Sequence, residues 1–171
     1  LFEKFEIAKD KDFEKYLNQY NTIFLNMQEF LSRSHNVEEL INRVKKLVIR
    51  DLKMGYPEVD YFDDTDLIES MQDVYVQTQC PFIVIIDEWD VLIRDEAADK
   101  QIQEEYINFL RAMFKGTEPT KYIQLAYLTG ILPIKKEKTQ SALNNFDEFT
   151  MLSASNLAPY IGFTEAEVKK L

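Results

Sequence analysis

The stretch Phe82-Ile83-Val84-Ile85-Ile86, preceded by Pro81 and followed by Asp87 and Glu88, limits the fold more than any other part of the chain. Its five apolar residues, four of them β-branched, show no polar alternation. Such a run suits a strand covered on both faces, as in a parallel sheet with flanking helices. It is also the longest wholly apolar run, far short of the roughly 20 residues that span a bilayer. The first residues are charged rather than signal-like, so no membrane association is expected.

The remaining elements are arranged around this strand. Phe13, Tyr16 and Leu17 mark a short helix over residues 12–19, and Thr22 to Met27 has strand composition. Val37, Leu40, Ile41, Val44, Leu47, Val48 and Leu52 recur at helical spacing, with Asn36 as cap and Glu39 as its reciprocal partner. Leu67, Ile68, Met71, Val74 and Tyr75 predict a second amphipathic helix. Ile102, Tyr106, Phe109, Leu110, Met113 and Phe114 predict a third, ending near Gly116. Tyr122 to Leu128 reads as a strand turning at Gly130, and Phe149 to Leu152 as a short last strand. Strands separated by helices predict βαβ units and a layered α/β fold.

With 171 residues, 46% hydrophobic and 13% aromatic, the chain can bury a core as one domain, and its 4 Gly and 5 Pro form no linker. Acidic residues outnumber basic ones 30 to 20, and a net charge of -10 opposes direct nucleic-acid binding by this surface. One cysteine (Cys80) and one histidine (His35) exclude an internal disulfide and a multi-ligand Cys/His zinc site, and a reducing, cytoplasmic setting is expected. Seven acids and no bases lie between Tyr56 and Tyr75, but without the order of a calcium loop; a solvated acidic loop is expected. The chain opens at Leu1 without methionine and closes at Leu171 inside a helical pattern begun at Thr164, as a piece of a longer protein would.

Asp87 and Glu88 are the most informative residues, because ligands of open parallel sheets gather beyond the carboxyl ends of the strands. One carboxylate there can hold Mg²⁺ directly or through water, and its neighbour can orient or deprotonate a water, the division of labour that phosphoanhydride hydrolysis requires. The alternative is that Asp87, Glu88 and Asp90 merely place negative charge in the first turn of the next helix. Thr129-Gly130 ends another strand. If that strand lies beside the first, the Thr129 hydroxyl can reach the attacking water or the terminal phosphate near Glu88; otherwise Thr129 caps a turn and Gly130 supplies an unusual backbone angle. Arg94 and Arg111 read as partners of nearby acids. Glu167-Val168-Lys169 spells a nuclease-like Glu-x-Lys, but Thr164 with Glu167 makes a capping box, which favours a helix. His35 reads as a surface or capping histidine, Cys80 as packing, and Lys135-Lys136-Glu137-Lys138 as a solvated loop.

Four blocks in order resemble the bacterial predicted AAA-ATPase-like family: Phe82 to Asp90, the Phe109-Leu110-Arg111 helix, Leu125 to Ile134 with Thr129-Gly130, and Gly162 to Val168. The resemblance implies a three-layer parallel sheet of P-loop NTPase type over residues 1–162, with the start of a following helical region over residues 163–171. It implies Asp87 and Glu88 as Walker B acids, Thr129 at the sensor position, and ATP and Mg²⁺ as cofactors. Relatives often carry a PD-(D/E)xK nuclease-like domain after this region. No Gly-x-x-x-x-Gly-Lys-Ser/Thr occurs between Leu1 and Leu171. Family order puts that phosphate loop upstream, so this segment alone is expected to bind ATP poorly and to hydrolyse it hardly at all. The sheet without its phosphate-loop strand is expected to leave a seam that promotes self-association. The alternative function is a nucleotide-independent interaction or scaffold domain of degenerate NTPase fold.

Overall fold

The computed structural model describes residues 2–94, 100–133, 143–150, 153 and 165–170. Two units separate, Leu1–Leu132 and Pro133–Leu171. In the first, short 3-10 turns at Phe2–Lys4 and Glu6–Lys9 lead into α1 (Phe13–Tyr16) and β1 (Asn21–Asn26). Then come α2 (Met27–Ser32), α3 (Val37–Gly55), α4 (Leu67–Thr78), β2 (Phe82–Asp87), α5 (Val91–Arg94), α6 (Lys100–Phe114), α7 (Pro119–Tyr122) and β3 (Ile123–Leu128). The second unit contains an isolated antiparallel bridge between Thr150 and Ser153, and α8 (Glu165–Val168). Glu167 and Val168 thus belong to a helix, as their spacing predicts. Met151 and Leu152 of the expected last strand, the cap residue Thr164, Gly162 and the Lys135–Lys138 cluster lie outside the described residues.

The sheet is parallel with order β1-β2-β3, so the apolar run is its central strand. Asn26 is in register with Asp87, and Ile86 with Leu128. A bulge between Phe82 and Ile83 places Ile123 opposite Phe82 and Leu125 opposite Ile83. Phe82, Val84 and Ile86 are fully buried. The sheet is flanked by helices, as expected, but its two faces are covered unequally. Phe24, Leu125 and Tyr127 are 62%, 53% and 42% exposed on the face they share with half-buried Ile83 and Ile85. Among the described residues the helices close one face only.

On that closed side α3 packs against α2, α4 and α6. Val37, Leu40, Val44, Val48 and Leu52 form its buried stripe. Asn36 accepts the Glu39 N–H at 2.8 Å, the expected cap. The Glu39 carboxylate, however, takes the His35 N–H at 2.8 Å rather than that of Asn36, and this bond holds its carboxyl below the usual carboxylate range. Asp66 caps α4 by accepting from Ile68 and Glu69. Helix α6 buries Tyr106, Ile107, Leu110, Met113 and Phe114, with Phe109 at its margin.

Two buried tyrosines differ in hydrogen bonding. Tyr106 donates to the Trp89 carbonyl at 2.7 Å, whereas the Tyr122 hydroxyl is buried with no partner among the described residues. Burial first, then the negative charges of Glu118 and Asp66, push the Tyr122 phenol up to about 12 from 10.0. A raised folded-state pKa leaves stability untouched below pH 10 and removes it as pH rises from 10 towards 12. Denaturant unfolding should find Tyr106→Phe less stable by about 1 kcal/mol at neutral pH and Tyr122→Phe unchanged or more stable. Tyr122→Phe should also lose less stability between pH 10 and 12 than the parent chain. Equal losses in the two variants would contradict this assignment.

Candidate functional site

Parallel, in-register strands bring three polar residues together beyond the carboxyl edge of the sheet. Asn26 ends β1, Asp87 ends β2 and Thr129 follows β3. Asn26 Nδ2 donates to Asp87 Oδ2 at 3.2 Å, while its Oδ1 caps α2 by accepting the Glu29 N–H at 3.2 Å. Thr129 Oγ1 donates to Asp87 Oδ1 at 2.5 Å, and the Glu88 N–H reaches the same oxygen at 3.1 Å. The Asp87 carboxylate is half-buried, and its donors among the described residues are all neutral. This is a chemically suggestive environment: a hard anionic ligand at a strand tip, with no cation of its own among the described residues.

Glu88 turns away from the strand. Its φ of 56° is left-handed, a conformation uncommon for residues other than glycine and concentrated at functional sites. The turn sends Trp89 and Asp90 into the core and leaves the Glu88 side chain 36% exposed. Arg94 of α5 donates Nη2 to Glu88 Oε2 and Nε to Asp90 Oδ2, the latter at 2.9 Å. Arg94 therefore pairs with nearby acids, as expected, and Arg111 stays exposed on α6.

Asp90 is more than a first-turn charge. It has no exposed surface, and its Oδ2 also accepts the N–H groups of Ile131 at 3.1 Å and Leu132 at 2.7 Å. Its Oδ1 has no partner among the described residues. The Trp89 N–H donates to the Thr129 carbonyl at 3.0 Å, and the Thr129 N–H to the Ile86 carbonyl at 2.9 Å. The turns after β2 and β3 are thereby fastened together, which fixes Thr129 over Asp87. Gly130 is needed here for space rather than for an unusual angle, since it has no positive φ. A Cβ there would lie 2.6 Å from Asp90 Oδ1 and 2.7 Å from Trp89 Cδ1.

Of the residues singled out from the sequence, Asp87 and Thr129 are in direct contact. Glu88 adjoins them through its backbone, while its carboxylate is held by Arg94. Sequence reasoning missed Asn26 and the structural role of Asp90. Asn26 carried one usable signal, a polar side chain at the carboxyl end of a predicted strand. The other residues considered lie elsewhere: His35 is exposed with its N–H on Glu39, and Cys80 is a free, half-buried thiol.

The three-stranded parallel sheet flanked by helices is consistent with a P-loop-like α/β fold. The family described as Predicted AAA-ATPase, the AAA-ATPase-like family, matches residues 1–139, and the chain belongs to it. Neither the curated proteins nor the solved structures include a match. Among the described residues, no helix is long and apolar enough to cross a membrane.

Gly130→Ala tests the close packing of the two turns. It should lower stability by about 2 kcal/mol, because the buried Trp89 ring and Asp90 carboxylate must give way. Urea unfolding should show a lower midpoint at unchanged slope, and an unchanged midpoint would mean that the turns are not packed as described.

Proposed function

We propose that this segment supplies the cation-holding and water-activating half of an ATP-hydrolysing site. Asp87 acts as the Walker B acid that holds Mg²⁺ directly or through water, Glu88 activates the attacking water, and Thr129 is the sensor. The observation that carries this reading is the Asp87 carboxylate, held at the tip of the central strand by Asn26, Thr129 and backbone alone. Among the described residues, no group of three or more His, Cys, Asp or Glu could cage a metal. A single carboxylate suits Mg²⁺, which is ordinarily held by one or two carboxylates together with phosphate oxygens and water.

When bound, Mg-ATP supplies the phosphoanhydride to be split and the charge that polarises it. The protein's share is positional. Asn26 and Thr129 fix the Asp87 carboxylate in rotation. Arg94 holds Glu88 at Oε2, which leaves Oε1 to accept a proton from water. Thr129 gives its only hydroxyl proton to Asp87. Rotation about its Cα–Cβ bond would re-aim that donor at a phosphate oxygen or the attacking water, which gives the sensor two states.

The sequence has no Gly-x-x-x-x-Gly-Lys-Ser/Thr, so the phosphate cradle must come from outside these 171 residues and the segment alone should turn over little ATP. The test is phosphate release by the longer protein that bears this segment. Glu88→Gln should lower kcat by about a hundredfold or more with KM little changed. Equal turnover would remove Glu88 from the chemistry. A longer protein that binds no nucleotide, and has no glycine-rich loop ending in Lys-Ser or Lys-Thr before Leu1, would instead be an interaction domain.

A further inference from the structure

Away from the strand tips, α3 carries Lys45, Lys46, Arg50 and Lys53 at i, i+1, i+5 and i+8; Lys46, Arg50 and Lys53 are exposed on the side away from the buried Val44, Val48 and Leu52, and half-buried Lys45 stands at the margin of that apolar stripe. The basic residues run about 12 Å along the helix. In a chain of net charge -10 this is a concentrated positive patch. Together with Ile49, Asp64 and Thr65, the four basic side chains line a groove of about 730 Å³. Among the described residues, Lys45 and Lys46 have no ion-pair partner, Arg50 has only its sequence neighbour Asp51, and Lys53 pairs with Asp64.

The acidic loop contributes Asp64 and Thr65 to the wall of this groove. Glu58 and Asp60 are exposed, and between the acids stands Phe62, 88% exposed. This phenylalanine is not on a slack tip. Asp60 N–H donates to Gln77 Oε1 at 3.1 Å, Gln77 Nε2 returns a bond to the Asp60 carbonyl at 3.0 Å, and Phe62 N–H donates to Asp73 Oδ2 at 2.9 Å. Three bonds to α4 thus present an aromatic side chain to solvent at little further ordering cost, the arrangement expected of an interface anchor.

We infer that this face pairs with a second copy of the chain, the Phe62 loop of each copy lying in the α3 groove of the other. A surface with a positive half beside a negative half complements itself under a two-fold axis, because each half meets its opposite twice. The same layout disfavours nucleic acid. A polyanion following the lysines past Lys53 would run into Asp64, Asp60 and Glu58.

Sedimentation of the chain from about 5 to about 200 µM should show mass rising towards twice the monomer at about 50 mM salt, with affinity at least about tenfold weaker at about 500 mM. Phe62→Ser and Lys45→Glu/Lys46→Glu should each weaken pairing about tenfold or more. The charge-swapped chain Glu58→Lys/Asp60→Lys should be monomeric alone, yet pair one-to-one with Lys45→Glu/Lys46→Glu. Among the described residues the four reversed side chains make no hydrogen bond or ion pair, so unchanged circular dichroism is expected throughout. A chain that stays monomeric at every concentration overturns the inference. So does a dimer indifferent to salt and to all these variants, as one formed through the open sheet face at Phe24, Leu125 and Tyr127 would be. A mixture of the two charge-swapped chains that stays monomeric also overturns it.

Discussion

The carboxylate of Asp90, without exposed surface, ties the turn after β2 to the turn after β3, and the geometry at the strand tips follows from it. Burying a charge is costly unless it is paired and hydrogen-bonded. Asp90 offsets that cost with Arg94 and two backbone N–H groups, all on Oδ2. Its negative charge adds to burial in raising the pKa of the Tyr106 phenol, whose hydroxyl donates to the neighbouring Trp89 carbonyl. Gly130 leaves room for this packing, and Thr129, one residue earlier, is held over Asp87. The hydroxyl-carboxylate contact at the sheet edge thus depends on a buried anchor behind it.

The two adjacent acids consequently occupy different surroundings. Asp87 continues the strand and is held by neutral donors from both neighbouring strands. Glu88 enters a left-handed turn, meets solvent and is steadied by Arg94. That difference is what makes separate roles for the two physically reasonable. In the proposed function Asp87 would hold the cation and Glu88 would take the proton of the attacking water.

Much of the fold was legible because apolar periodicity is strong. The run from Phe82 to Ile86 specified a buried strand of a parallel sheet, and Asn36 marked the start of α3, whereas Asp66, the cap of α4, reads only as one acid of the preceding loop. The run carried no information about sidedness, since an unbroken series of Ile and Val reads alike whether one face is covered or both. The open face appears only when Phe24, Leu125 and Tyr127 are placed in register beside it. Asp87 and Thr129 were recognisable as strand-end residues. Asp90 was not distinguishable from an ordinary first-turn acid, because its partners, the N–H groups of Ile131 and Leu132, lie about 40 residues away in sequence. Gly130 was read as a conformational residue, and its actual service, room for Trp89 and Asp90, depends on tertiary packing.

Among the described residues, the strand tip and the loop from Glu58 to Asp66 both carry carboxylates that could attract a divalent cation, and the proposed function requires the first. The most direct test is paramagnetic broadening of backbone NMR signals by Mn²⁺ with ATP in the longer protein. The account predicts that broadening centres on Asp87 and Thr129 and weakens sharply in Asp87→Asn. Broadening centred on Asp60 and Asp63, or indifferent to Asp87→Asn, would contradict it.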